Sequence, residues 1–452
     1  MIGAAPYASR HEGTRFRLFP QAPYRTPSPR APETVWLSPR PGTIGPGPRD
    51  DRMYVIDPAG KQAPYGIAFT AHGMPYLYVP PWDGPIRPPA MPDAAGHFDH
   101  LAIGTPEFEM AHVYGCVRFV LDVWERYFGH PIEWHFSRQS DRLEILLLPA
   151  WDNAHVGWGF MEVGAHTTAA GDLRPFSLNF DTIAHELGHL IIYSEVGIPP
   201  IEGVESEYFG FHEAAADLTA LIAVLHFDSV VSRLLEMTRG NLYTFNELNR
   251  FAELGETEEI RLAGNDIRLS AFALGWTDEH DLSQPLTGAL FDIFVDVFQE
   301  SLLARSLISP EVEDLVDRVQ YLPEYEPVVQ ALFDRAYGRD PGGFAEALLD
   351  ARDYLGRALA LTWRCLPPSS LTYEDVAAVL LAADLDLTGG QYQRLIRNNL
   401  LWRDIGLVAV GPRLAPPGPE SHALSARTVT PARPPAARRL SYRERWQMVR
   451  RV

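Results

Sequence analysis

Apolar residues recur at helical spacing between Phe108 and Phe128. Met110, Val113, Val117, Val120, Leu121 and Trp124 share a face and Gly129 supplies a stop, so the pattern predicts a core helix. Upstream the period shortens. Runs rich in β-formers at Met53 to Ile56, Ile67 to Thr70 and Tyr76 to Val79, separated by Pro and Gly, predict a small sheet, with 81–106 as loop. Two more strands are expected at Ile132 to Phe136 and Leu143 to Leu148, and the segment WDNAHVGWGFMEVG that starts at Trp151 reads as an exposed edge strand. Beyond residue 178 the helical period dominates, with helices expected over 179–194, 211–227, 285–304, 310–321, 324–337, 342–362, 373–384 and 390–402. No internal repeat is visible. Sheet-rich first and helical second, the order predicts an α+β fold: an N-terminal lobe containing the sheet, then an all-α C-terminal lobe, with a cleft between them.

The two ends differ from this body. Residues 1–50 contain ten prolines and no periodic apolar pattern, which predicts an extended arm on the surface or without fixed structure. Residues 411–452 carry nine arginines against Glu420 and Glu444, so of the formal charge of −19 the rest of the chain holds −26. An acidic body repels nucleic acid, and no such partner is expected. The tail reads as a solvated low-complexity segment in preference to an RNA- or membrane-binding arm. The expected division is therefore 1–50 arm, 51–195 α+β lobe, 196–410 mainly helical lobe and 411–452 basic tail.

Hydrophobic residues at 46% with 21% charged describe a globular chain, and charge interrupts every apolar run before 18 residues, so no membrane span is expected. Cys116 and Cys365 are too few for a disulfide framework, and Cys116, inside the apolar helix, is expected as a buried thiol. Arg10, Arg15 and Arg17 have no apolar run behind them, which predicts a cytoplasmic location or export without a recognisable signal. Nothing indicates an oligomeric state. Lys61 is the chain's one lysine, a bias that reads as genome composition.

The chemistry-bearing segment is Asp181-Thr-Ile-Ala-His185-Glu186-Leu-Gly-His189-Leu190-Ile191. On a helix His185 and His189 stand one turn apart on one face, where two imidazoles reach a single cation. Glu186 lies beside them as a general base, while Ile183, Leu187, Leu190 and Ile191 pack the other faces. The next helical run, Gly210-Phe-His-Glu213-Ala-Ala-Ala-Asp217, repeats the i, i+4 spacing with carboxylates. Glu213 is the candidate third ligand, and Asp217 can take the Nδ1 hydrogen of His185, leaving Nε2 for the metal. Zinc is the expected ion. A metzincin site is excluded, because Ile192 and Glu195 stand where that class needs Gly and His. Glu195, Glu202, Glu205 and Glu207 are weaker candidates as ligands, or members of a solvated acidic loop or a calcium site. His112 is expected as a hydrogen-bonded core residue, and His155 either lines the cleft or is exposed.

These residues resemble the thermolysin family of gluzincins, in which His-Glu-x-x-His precedes Glu-x-x-x-Asp on a later helix. Ala111-His112-Val-Tyr114 is similar to that family's Ala-His-Tyr-Tyr, Trp151-Asp-Asn153-Ala154 to its Asn-Ala edge strand, Phe176 to Asp181 to its lead-in, and LTYEDVAAVLLAADLDLTGGQYQRLIRNNLLWRDIGL to its terminal helix pair. The likeness spans about residues 100–410. It implies a two-lobed zinc metallopeptidase with His185, His189 and Glu213 as ligands, Glu186 as catalytic base, and Asn153 and Ala154 binding the substrate backbone; calcium, at the acidic loop, is a further candidate ion. It also implies an oxyanion-stabilising histidine, for which His280 in Asp278-Glu279-His280, ahead of the helix from Leu286, is the candidate; Asp278 or Glu279 would orient it, and Tyr208 would assist. The family's Asn-Ser-Gly after that histidine is here replaced by Asp281 to Pro285. The expected partner is a peptide or protein substrate. Two alternatives stand beside this: an inactive, metal-stabilised binding or assembly module, and an aminopeptidase in which Glu202 or Glu205 captures the substrate amine.

Overall fold

The computed structural model describes residues 12–24, 31–61, 63–69, 74–200, 204–243, 248, 250–251, 261–312, 315, 323–406 and 411. The basic tail and the helix expected over 310–321 lie wholly or largely outside them. The fold is mixed α+β, with sheets in the N-terminal part and helices in the C-terminal part. It divides into two units, one of Met1–Ile198, Ala215–Val230 and Phe251–Ile260, the other of Pro199–Ala214, Val231–Arg250 and Arg261–Val452. The single boundary expected at 195/196 is thus replaced by one that runs through a helix. The reason is packing, described below for Gly188.

The first unit is organised around helix α1 (Pro106–Phe128). Thr105 caps it by accepting from Phe108 N, Pro106 occupies a position needing no N–H, and Gly129 ends it at φ 77°. Beside it lies a four-stranded sheet ordered β3-β6-β8-β7, where β3 is Met53–Ile56, β6 Leu143–Leu147, β7 Ala154–Gly157 and β8 Phe160–Val163. The first three strands are parallel and β7 is antiparallel to β8. Strands β6 and β8 are buried along their whole length, so they read LEILL and FMEV and show little alternation. Ile145, Leu147, Met161 and Val163 face one side, against which α1 and helix α2 (Phe180–Glu195) pack. Leu146 and Phe160 face the other, under Tyr65, Tyr78 and Trp82. The hairpin β4 (Gly66–Phe69) and β5 (Pro75–Tyr78) belongs to that cover.

Three expectations are corrected in this unit. The arm predicted over 1–50 contains an antiparallel pair, β1 (Thr14–Leu18) and β2 (Glu33–Leu37), with Phe16 opposite Val35. Phe16, Leu18, Val35 and Leu37 are buried, and β1 lies so close to α1 that a Cβ on Gly115 would come within 2.6 Å of Leu18 Cδ2. The strands are only five residues each, too short to stand out among ten prolines. The strand expected at Ile132 to Phe136 is instead a buried turn: Trp134 stacks on Phe136, and the His135 N–H is taken by Ser194 Oγ, not by a neighbouring strand. Lys61 is no incidental residue. Its side chain is fully buried, with Nζ 3.1 Å from Glu162 Oε1 and 3.6 Å from the centre of the Tyr65 ring. Both cysteines are free, and Cys116 is buried as expected.

The second unit is helical: α5 (Glu279–Ala304), α6 (Glu326–Arg339), α7 (Pro341–Cys365), α8 (Tyr373–Thr388) and α9 (Gln393–Trp402). Helices α5, α7, α8 and α9 pack on one another. Arg403, wholly buried after α9, binds Asp292 of α5 at 2.7 Å and Asn265 Oδ1 at 2.7 Å. Helix α3 (Ser206–Val224) is shared by both units and followed at once by α4 (Asp228–Thr238), a helix absent from the sequence expectation, which has none between 227 and 285. Among the described residues no single helix is long and apolar enough to cross a membrane.

Candidate metal centre

The lead-in to α2 is a short 3₁₀ turn, Phe176–Leu178, after which Asn179 caps the helix by accepting from Asp181 N and Thr182 N. Ile183, Leu187, Leu190 and Ile191 are fully buried, leaving Glu186 and His189 half-buried on the remaining face and His185 at 4% exposure. The His185 and His189 rings stand 4.7 Å apart and nearly perpendicular. Helix α3 reaches them because both helices are small at the crossing. A Cβ on Gly188 would lie 2.7 Å from Ala216 Cα and 3.1 Å from Thr219 Cβ, a contact that holds the axes closer than any larger residue permits. This seam ties Ala215–Val224 to the first unit.

His185, His189 and Glu213 each offer one ligand atom, and these atoms lie within 4.8 Å of one another. Two imidazoles and a carboxylate are the donor set of a catalytic zinc site. Asp217 Oδ1 stands 2.9 Å from His185 Nδ1, both side chains buried. With the Nδ1 proton held there, the Nε2 lone pair remains for a cation, so the donors present fit zinc.

His280 lies in the first turn of α5, not ahead of a helix starting near Leu286. The helix expected over 285–304 begins at Glu279, so Pro285 stands inside it, and Asp278 is the cap. Asp278 Oδ1 accepts from His280 N at 2.8 Å and from the ring at Nδ1, 2.7 Å; these bonds hold its carboxyl below the usual carboxylate range. Ring orientation thus comes from Asp278, and Nε2 stands 3.4 Å from Glu213 Oε2.

The other candidates fall elsewhere. Glu195 pairs with His130 at 3.1 Å, Glu205 is exposed, Glu202 lies outside the described residues, and Glu207 accepts from Tyr373 N at 2.5 Å. Tyr208 is buried with its ring beside His212. Asn153 is exposed before β7 and its Oδ1 accepts from Ala154 N at 2.8 Å, while Ala154 is buried on β7, at the end of the strand order. His155, the next residue, turns to the opposite face and binds Glu162 at 2.7 Å. His112 is a core residue, bonded to Ser177 O and Phe19 N.

Sequence reasoning missed Gly210 and Tyr373. A Cβ on Gly210 would meet Tyr373 Oη at 2.2 Å and Leu282 Cγ at 2.8 Å. The usable signal was a glycine inside an Ala-rich helix, where it weakens the helix unless something must come close.

No protein-family model matches this chain, and no curated protein matches it. Among solved structures 26 chains match. One is the precursor of protealysin, a metalloproteinase from Serratia proteamaculans, at 11% identity and a TM-score of 0.41 over 72% of this chain and 83% of that one.

Proposed function

We propose that this protein is a zinc-dependent metallopeptidase, an endopeptidase acting on extended peptide. The observation that carries the reading is the convergence of His185, His189 and Glu213 to within 4.8 Å, with Asp217 against the outer nitrogen of His185. Two neutral imidazoles and one carboxylate hold a divalent cation with one unit of positive charge left over. Zinc, when bound there, supplies the Lewis acidity that acidifies water and polarises a carbonyl. Calcium is not part of the proposal.

The chain's own residues divide the remaining work. Glu186, next to His185 on the face of α2 left uncovered by the core, takes the proton of the attacking water and returns it to the leaving amine. His280, its Nδ1 hydrogen held by Asp278, donates through Nε2 as the imidazolium to the oxygen of the tetrahedral intermediate. The substrate backbone adds as a strand to the edge of the sheet at β7, beside Asn153 and Ala154.

Glu186→Gln tests this reading. It removes the base and leaves all three ligands, so bound zinc stays at one equivalent while cleavage of an unfolded protein falls by about 10²- to 10⁴-fold. Turnover equal to the parent's would rule the mechanism out.

A further inference from the structure

Tyr373, the first residue of α8, is fully buried and lies far along the chain from the proposed site, yet it touches both elements that carry His280 and Glu213. Its hydroxyl donates to Leu282 O at 2.6 Å, two residues beyond His280 in the first turns of α5. The same oxygen sits in the notch left by Gly210 on α3, where a Cβ would come within 2.2 Å. Its backbone N–H donates to Glu207 Oε2 at 2.5 Å. Glu207, Gly210 and Glu213 follow one another at intervals of three along α3 and so occupy neighbouring positions down one side. Burial keeps the phenol protonated, and hence a donor. The residue is itself anchored, because Thr372 and Asp375 cap α8 reciprocally.

Each contact has a distinct effect. Asp278 sets the rotation of the His280 ring but not the distance between α5 and α3. That distance is set where the helices are tied, and one such tie lies two residues from the ring: the Tyr373 hydroxyl, wedged against Gly210 and bonded to Leu282 O. A side chain on Gly210 would force the two helix starts apart; loss of the hydroxyl would free the carbonyl of Leu282 and let the first turn of α5 shift. His280 Nε2 is 3.4 Å from Glu213 Oε2, close enough that a displacement of about 1 Å changes which atoms it can reach.

We infer that Tyr373 and Gly210 are positioning residues, a hydroxyl and its matching notch that hold His280 at its working distance from the metal carboxylate Glu213. The inference rests on the peptidase reading above and deepens it by naming what aligns the oxyanion donor.

Tyr373→Phe removes only the hydroxyl. In the purified full chain it should lower kcat about tenfold, with KM within about twofold of the parent and zinc still at one equivalent, since one hydrogen bond is lost and no substrate contact is touched. In zinc-free protein, amide exchange over 279–283 should quicken about tenfold while that of α7 stays unchanged. Parental kcat, or exchange in 279–283 no faster than the parent's, overturns the inference. Loss of kcat through KM alone, or through loss of zinc, also overturns it, since neither follows from a displaced His280. If Glu186→Gln cleaves like the parent, the peptidase reading fails, and the exchange measurement still decides whether Tyr373 tethers α5. Should Tyr373→Phe not fold, Gly210→Ala disturbs the same contact from the α3 side and must give the same pattern. Failure of both variants to fold makes the pair a folding determinant and rejects the positioning role.

Discussion

A histidine in a core must remain neutral, because burial disfavours its charged form. His112 meets this condition with both nitrogens engaged: Nδ1 donates to Ser177 O at 2.7 Å, just ahead of the cap of α2, and Nε2 accepts from Phe19 N at 2.9 Å. The imidazolium has no acceptor for a second proton there, and burial pushes the pKa down to about 4 from 6.5. Linkage gives the sign. The unfolded chain takes up a proton below pH 6.5 and the folded chain does not until about pH 4, so the contribution is complete above 6.5 and is lost as pH falls through that window. The loss amounts to about 3 kcal/mol at most. Urea unfolding between pH 7 and pH 4 should therefore show a steep decline in the parent and a shallower one in His112→Gln. Parallel curves would show that His112 does not carry it.

At the scale of elements, the second face of the central sheet rests on buried charge. Glu144 and Glu162 interrupt otherwise apolar strands, and each is enclosed by donors. Glu144 accepts from Tyr65 Oη and Trp82 N, and Glu162 from Tyr65 N and His155. Lys61 inserts between the Tyr65, Tyr78 and Trp82 rings to pair with Glu162; burial lowers its pKa, and the carboxylate opposes that shift. Removing one member of such a pair strands the other. Lys61→Met should destabilise the chain by about 3–5 kcal/mol, and Lys61→Met with Glu162→Gln should recover a large part of that. Equal loss in the single and the double variant, in a denaturant titration, would mean that Lys61 acts through packing alone. The α2–α3 seam follows the opposite logic: Gly188 against Ala216 brings two backbones together by removing side chains, and the ligands face one another in consequence.

For the whole molecule the proposed zinc site makes a thermodynamic prediction, because a cation held by His185, His189 and Glu213 would join α2 to α3. A ligand that binds only the folded chain stabilises it by mass action, about 2.7 kcal/mol at a free concentration one hundred times Kd. Stripping zinc with a chelator should lower the melting midpoint by a few degrees, and one equivalent of zinc should restore it. Glu213→Ala should melt at a temperature insensitive to the chelator. A chelator shift of parental size in that variant would place the stabilising ion somewhere other than this site.

What was legible in the sequence is what local geometry determines. The i, i+4 spacing of His185 with His189 and of Glu213 with Asp217 fixes each pair to one side of its helix whatever surrounds it, and Gly129 marks the end of α1 because the backbone there needs a left-handed residue. The strand Leu143–Leu147 stood out because burial on both faces makes it apolar but for Glu144, and Met53–Ile56 as a short run of β-formers, buried on one face, ahead of Pro58. Tertiary structure decided the rest. Pairing of Thr14–Leu18 with Glu33–Leu37, burial of Lys61 beneath three aromatic rings, and the fit of Tyr373 into the notch at Gly210 join segments distant in the chain. No periodicity records such partnerships, because pattern along a chain reports which side of an element is buried and not what buries it.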